Sequence, residues 1–243
     1  MRIQLLNPNT CAAMTEQMTL VARDVALSDT QIIASTAQHG PVSIESARDE
    51  AIAGAALLDE IQWAKEQGVD AHIIACFGDP SLSAAREVAD APVIGIAQAA
   101  FHFASLISYR FAVVTTMRRT IATAQELLSR YGFSQQCSGV YASDIPVLAL
   151  EDLSSHYQQL LFSDCQKAID DGAEAIVLGC AGMATLCQSL QDKFQIPVID
   201  GVVCAVKLAE SLNALQLKAA KRGQYAAAYP KLFTGRYQHW CDR

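Results

Sequence analysis

The feature of this sequence that most constrains its fold is an alternation of short apolar runs with longer segments of helical period. Runs of the kind that form buried strands are found at 2–6, 72–76, 92–96, 111–115, 175–179 and 197–199. Between them apolar residues recur every three or four positions; one series is Met14, Met18, Val21 and Val25. Apolar strands that alternate with helices are typical of parallel sheets covered by helices. The pattern therefore predicts an α/β fold.

The same order of features occurs twice along the chain. Gly68 lies 8 residues before Cys76, and Gly172 lies 8 residues before Cys180. The motif "APVIG" begins 15 residues after the first of these cysteines, and "IPVID" begins 16 residues after the second. Another strand that ends in polar residues precedes each unit, "IQLLNPNT" in one case and "FAVVTT" in the other. The repeat predicts two similar α/β halves, related by a pseudo-two-fold axis.

The end of the chain is predicted to return to the first half. A helix from about residue 202 to 217 would bury one face, formed by Val202, Val206, Ala209 and Leu212. We therefore expect the first half to comprise 1–100 plus 205–243, and the second half to comprise 101–204. The aromatic tail "YPKLFTGRYQHWCDR" is expected to pack against the first half or another subunit.

Charge and composition exclude several classes of partner. The net charge is −7, and outside "KAAKR" at 218–222 no basic run is longer than "RR", so we expect no nucleic acid partner. The uncharged stretch 91–109 is interrupted by polar residues, proline and glycine, so we expect no membrane span. No signal peptide is evident, which favours the cytoplasm. With 51% hydrophobic and 18% charged residues, a homo-oligomer is expected.

No cofactor or metal is expected from the sequence. The eight cysteines form no C-x-x-C pair and no cluster with histidine at metal-ligand spacing, so they are predicted to be free thiols. The lysines in the helical segments have no phosphate-binding glycine loop nearby, which leaves a lysine Schiff base unsupported.

Two of the cysteines, Cys76 and Cys180, stand where a predicted strand ends. The carboxyl ends of parallel strands form the ligand-binding edge of a sheet, so two facing halves would place these thiols on opposite walls of one cleft. A cysteine is also a common small core residue, and that reading competes for either residue alone. The matched settings favour a functional pair.

Opposed thiols suit the inversion of a carbon stereocentre. One group removes a proton from one face while the other delivers a proton to the opposite face, which is two-base racemisation. A thiol pKa of about 8.5 needs only modest lowering to supply a base near neutral pH. We expect the start of the helix after each cysteine to lower it, with Asp79 as the N-cap and Pro80 in the first turn beside Cys76.

Several motifs resemble those of the aspartate/glutamate/hydantoin racemase superfamily, most closely its hydantoin and allantoin racemase branch. The resemblance extends from about residue 2 to 217 and rests on "NPNT", "GPVSIES", "ACFGDP", "VVTTMRRT", "LGCAGM" and "PVIDG". It implies two flavodoxin-like halves with the active site between them, and a cofactor-independent racemase with Cys76 and Cys180 as acid and base. The small-molecule substrate implied is a hydantoin.

The resemblance also implies which residues surround the substrate. The candidates are Asn9, Ser43, Phe77, Gly78, Thr115, Thr116, Ala181 and Gly182, with Arg119 as a further side chain that could reach it. Each has a structural alternative. Asn9 could cap the first helix, Ser43 could belong to a turn, the threonines could be ordinary strand residues, and Arg119 could be solvated at a helix start.

The residues after the cysteines bear on the substrate. Phe77-Gly78 and Ala181-Gly182 offer an aromatic face and backbone amides, which suit a compact neutral ring better than a zwitterion. A hydantoin fits, and likeness over the whole chain favours allantoin. Two alternatives remain open: an amino-acid racemase or dicarboxylate cis–trans isomerase of the same superfamily, and a non-catalytic module that binds a small ligand.

Overall fold

The computed structural model describes residues 1–150 and 155–241, and within them the strands form two parallel sheets of four. The strands are β1 Arg2–Asn7, β2 Gln31–Thr36, β3 Ala71–Ile74, β4 Val93–Gly95, β5 Phe111–Thr115, β6 Cys137–Ala142, β7 Ala175–Leu178 and β8 Val198–Ile199. The α-helices are α1 Ala12–Val25, α2 Ala47–Glu66, α3 Leu82–Val88, α4 Ile96–Ile107, α5 Ile121–Tyr131, α6 Ser155–Asp170, α7 Cys187–Phe194 and α8 Gly201–Ala214.

The strand order is the same in both sheets, β2-β1-β3-β4 and β6-β5-β7-β8. Register is also shared, because Leu6 pairs with Ile74 in the first sheet and Val114 pairs with Leu178 in the second. The predicted α/β fold of two similar halves is confirmed. The six predicted strands are all present, but β2 and β6 were missed; they occupy the same edge of their respective sheets.

The two halves share one hydrophobic core. It joins Ile3 and Leu5 of the first sheet to Phe111 and Val113 of the second, with Phe101 of α4 between them. The Phe101 ring stacks on Phe111 with their centroids 5.7 Å apart. Burying an aromatic side chain of this size contributes about 1.5–3 kcal/mol, so this contact stabilises the arrangement in which the two sheets face each other.

Helix α8 packs against α1, α4 and β3, and it ends at Ala214 rather than at the predicted residue 217. Val202, Val206 and Ala209 are buried, and Leu212 packs at the edge of the shared core. The division at 100 and 205 remains a prediction. Among the described residues, no helix is both long and apolar enough to cross a membrane.

The segment after α8 is fixed to the first half by polar contacts. The Lys221 ammonium donates to the carbonyl oxygens of Arg86, Glu87 and Ala89 at 3.1, 2.6 and 2.8 Å, and so binds carbonyls at the end of α3. The Trp240 indole N–H donates to Asp59 Oδ1 of α2 at 2.9 Å. The described part of the tail thus packs on α2; residues 242–243 lie outside the described residues.

Candidate active site

The carboxyl ends of β1, β3, β5 and β7 meet around one cavity of about 50 Å³, and residues from both halves line it. Cys76 and Cys180 are both in its wall. The strand ends that precede them are bonded alike: the Ala75 N–H donates to Leu6 O at 2.8 Å, and the Gly179 N–H donates to Val114 O at 2.7 Å. The repeat in the sequence thus places two thiols in equivalent positions around a single space.

The peptide before Cys180 lies unusually close to the neighbouring strand. A Cβ on Gly179 would be 2.7 Å from Thr115 Cβ and 2.9 Å from Thr115 Cα. The Thr115 hydroxyl donates to Gly179 O at 3.1 Å, which fixes this approach. In the first half the equivalent residue is Ala75, so the strand ends there are spaced to admit a methyl group. Gly179 is therefore required by geometry.

Each sulfur receives a backbone hydrogen bond from the residue two positions on. The Gly78 N–H serves Cys76, the Gly182 N–H serves Cys180, and each bond favours the thiolate and lowers the pKa of its cysteine. The glycine two residues after each cysteine therefore supplies the same backbone interaction with the sulfur in both halves.

Burial nevertheless outweighs these bonds. It raises the pKa of Cys180 to about 11, with a smaller contribution from the charges of Glu45 and Asp200. Burial also raises the pKa of Cys76, and the charge of Glu50 adds to the effect. Water is a better solvent for a thiolate than a cavity with few donors. The expectation of a lowered thiol pKa is therefore wrong for this structure.

The helix expected directly after Cys76 is displaced. Asp79 and Ser81 adopt left-handed φ angles of 43° and 53°, and α3 begins only at Leu82. Asp79 instead caps α4, since its carboxylate accepts from the N–H groups of Ala97 and Gln98 at 3.1 and 3.0 Å. The Tyr131 hydroxyl of α5 donates to the same carboxylate at 2.8 Å. The loop after Cys76 is thereby tied to both helices.

In the second half the corresponding helix N-terminus is capped by a different residue position. The equivalent helix, α8, is capped by Asp200 at the end of its own strand, which accepts from the Val203 N–H at 2.9 Å. The first half has Gly95 at that position, where a Cβ would collide with the Asp79 carboxylate. Burial raises the pKa of both aspartates to about 6. After Cys180 a 3₁₀ helix, Ala181–Leu186, replaces the expected α-helical start.

Most of the other candidates line the cavity, namely Asn9, Phe77, Gly78, Thr115, Thr116 and Ala181. Asn9 also organises its loop, because its Oδ1 accepts from the Cys11 N–H at 2.9 Å. Three candidates do not line the cavity. Arg119 is exposed on a 3₁₀ turn, as its structural alternative anticipated, and Ser43 is partly exposed while its neighbour Ile44 reaches the wall. Gly182 is buried behind the wall and contributes its amide.

Some lining residues were not predicted from the sequence. Glu50 reaches the cavity from α2, and Thr120 and Thr123 reach it from the start of α5 and the turn before it. The local sequence does not indicate a functional role for Glu50, because a glutamate in the first turn of an amphipathic helix is usually solvated. Glu45 was not predicted either. Its Oε1 accepts a hydrogen bond from the Val147 N–H at 2.9 Å, and this bond links the two halves.

Comparison with known proteins gives a consistent result. The family model described as Asp/Glu/Hydantoin racemase matches residues 3–209. The chain is 48% identical over 233 residues to "Hydantoin racemase" of Rhizobium meliloti, covering 96% of each chain. It is 40% identical over 241 residues to "Hydantoin racemase" of Pseudomonas sp. (strain NS671), covering 99% of this chain and 97% of that one.

Solved structures agree with the sequence matches. An allantoin racemase from Klebsiella pneumoniae superposes with a TM-score of 0.96 at 50% identity, covering 100% of this chain and 99% of the other. A glutamate racemase from Francisella tularensis superposes with a TM-score of 0.66 at 19% identity, covering 91% and 84%, which shows a shared fold alone.

Proposed function

The chain belongs to the Asp/Glu/hydantoin racemase family, and from that membership we propose that it is a cofactor-independent racemase of a hydantoin-type ring, with allantoin as its preferred substrate. The observation that carries the mechanism is the pair of thiols, Cys76 and Cys180, in the wall of one cavity at equivalent strand ends. The relatives named as hydantoin and allantoin racemases support the substrate class.

The proposed reaction moves one proton on and one proton off the ring. The thiolate of one cysteine takes the C–H proton beside the ring carbonyl, and the electron pair delocalises into that carbonyl as an enolate. The thiol of the other cysteine then donates its proton to the opposite face, which leaves the first cysteine as thiol and the second as thiolate. The amides of Gly78 and Gly182 stabilise whichever sulfur carries the charge.

The cavity favours a neutral substrate over a dicarboxylate. Within the described wall, Glu50 is the one ionisable group besides the thiols, and no lysine, arginine or histidine lines it. A second carboxylate in the substrate would lack a cation and would meet the charge of Glu50. This observation favours a hydantoin racemase over an amino-acid racemase or a dicarboxylate isomerase. The presence of two thiols in one cavity wall disfavours a binding module, because binding alone does not need them.

The activity is tested by polarimetry on enantiopure allantoin, with 5-isopropylhydantoin and L-glutamate in parallel. Chelator-treated protein without added cofactor should abolish the rotation of allantoin at unchanged mass. A change with glutamate alone would move the protein to the amino-acid branch. No change with any of the three substrates would contradict the racemase and favour the isomerase or the binding module.

The raised thiol pKa predicts how activity depends on pH. With the Cys180 pKa near 11, the thiolate fraction of the free enzyme at pH 7 is small and grows about tenfold for each pH unit. We therefore expect log kcat/KM to rise with pH through 7–9.5, without levelling off near the ordinary thiol pKa of about 8.5. Initial rates across that range, with stability checked at each pH, measure this. A plateau below pH 8.5 would show that the free enzyme already holds a low-pKa thiolate.

We also propose that the protein acts in the cytoplasm as a homo-oligomer, without a membrane or nucleic acid partner. Leu106 and Tyr109, at and just after the end of α4, are 80% and 82% exposed and offer an apolar surface to another subunit. Sedimentation equilibrium measures the assembly directly. A mass near 26.2 kDa at micromolar concentration would contradict the oligomer.

A further inference from the structure

A second cavity lies directly beside the one that holds the thiols. It has a volume of about 160 Å³, and its wall includes Glu126 and Arg130 of α5. Three residues, Glu50, Gly78 and Thr123, line both cavities and so form the partition between them. The thiol cavity and this polar side pocket are therefore adjacent and are separated by these three residues.

Glu50 is the acceptor at this partition. Its side chain is half-buried, and a Cβ on Gly78 would lie 2.5 Å from its Oε1, which places the carboxyl group against the Gly78 backbone. Within the described residues, its carboxyl oxygens accept no hydrogen bond from the protein. Burial raises the pKa of Glu50, as does the charge of Glu126, while Arg130 opposes them. A half-buried acceptor of this kind gains from a ligand that donates to it.

Because Glu50 lines the thiol cavity as well as the side pocket, a substituent on the reacting ring carbon can contact it. In allantoin that substituent is a ureido group, which presents two parallel N–H donors that match the two oxygens of a carboxylate. An alkyl substituent would cover Glu50 without bonding to it, and that carries a desolvation cost. Resting on the proposed racemase activity, we propose that Glu50 binds the N–H groups of the ring substituent and gives the enzyme its preference for ureido-substituted over alkyl-substituted hydantoins.

A substitution of Glu50 has a second effect that must be separated from substrate binding. The charge of Glu50 raises the pKa of Cys76, so Glu50→Gln also changes the thiol. That change acts on every substrate alike, because it alters the free enzyme. The ratio of kcat/KM for two substrates in the same variant cancels it and isolates contacts to the substituent.

The experiment compares allantoin with 5-methylhydantoin, whose methyl group has no N–H to donate to Glu50. In Glu50→Gln, and more strongly in Glu50→Leu, we expect the kcat/KM ratio of allantoin to 5-methylhydantoin to fall about tenfold or more. Glu16→Gln, on the exposed face of α1, should leave the ratio unchanged. Equal losses for both substrates in the isosteric Glu50→Gln would overturn the proposal. If the unmodified enzyme racemised neither allantoin nor 5-methylhydantoin, the proposed racemase activity itself would be contradicted.

Discussion

Replacing either Cys76 or Cys180 with serine is expected to lower the rate of racemisation by about 10²–10⁴-fold, the usual contribution of a general acid or base. In the proposed mechanism each thiol serves one face of the ring, and inversion needs both in every turnover. A serine hydroxyl keeps the size of the side chain but cannot ionise near neutral pH, so one proton transfer fails in each variant. The rate is measured by polarimetry on enantiopure substrate.

A second readout distinguishes loss of one proton transfer from loss of the fold. In deuterium oxide each serine variant should still exchange the ring C–H of one enantiomer through the surviving thiol, slowly and without inversion, and the two variants should prefer opposite enantiomers. Cys187→Ser is the matched control, since Cys187 lies outside the cavity wall and its sulfur donates to Val198 O at 3.1 Å, a bond that serine can make. Racemisation at the parent rate in either Cys76→Ser or Cys180→Ser would rule out the two-thiol mechanism.

Gly179→Ala is expected to lower both stability and activity, although it adds a single methyl group. That methyl group has no space, because it would meet the Thr115 Cα and Cβ and Val114 O, which are held by the central strand β5. Overpacking of this kind costs about 1–3 kcal/mol, and each kcal/mol lowers the melting temperature by about 2–4 °C in a chain of this size. The clash can be relieved by a shift of the peptide before Cys180, which would move the thiol. A displacement of about 1 Å can lower the rate about 100-fold.

The reverse change in the first half supplies the control. Ala75→Gly, at the equivalent strand end, removes a buried methyl group that already fits, so no backbone shift is expected. It should cost about 0.5–1 kcal/mol through chain entropy and about 0.8 kcal/mol through lost burial. Thermal unfolding and kcat/KM are measured on both variants. If Gly179→Ala melts and turns over like the parent protein, the strand ends are not as closely spaced as this structure has them.

The sequence predicted the inner part of each sheet and missed one edge. β3 and β7 read as strands because they are continuous apolar runs, as expected for strands covered on both faces. β2, "QIIAST", and β6, "CSGVYA", mix apolar residues with serine, threonine, glutamine or glycine, and their side chains are partly exposed. The edge strands on the opposite side, β4 and β8, were predicted because their side chains are buried and apolar. The partly polar edge strands β2 and β6 lack this signal, and the repeat found in the sequence did not include them.

The candidate site was predictable to the extent that it follows from strand ends. Asn9, Thr115 and the residues after each cysteine come next to strands whose position the apolar pattern gives. Glu50 could not be found in this way, since its carboxyl group reaches the cavity through the packing of α2. The sequence predicted that Asp79 caps a helix but assigned it to the wrong one. No local sequence pattern indicated the left-handed backbone conformation of Asp79, which directs its carboxylate to another helix.

The unequal anchoring of the two cysteine loops has a consequence for the kinetics. Asp79 ties the loop after Cys76 to α4 and α5, whereas α8 is capped from its own strand by Asp200, so the two thiols stand in different surroundings. Enantiomers have equal free energies in water, and the equilibrium constant of racemisation is therefore one. By the Haldane relationship kcat/KM must then be identical in both directions. The asymmetry can appear only as a compensated pair: the enantiomer with the lower KM has the lower kcat, by the same factor.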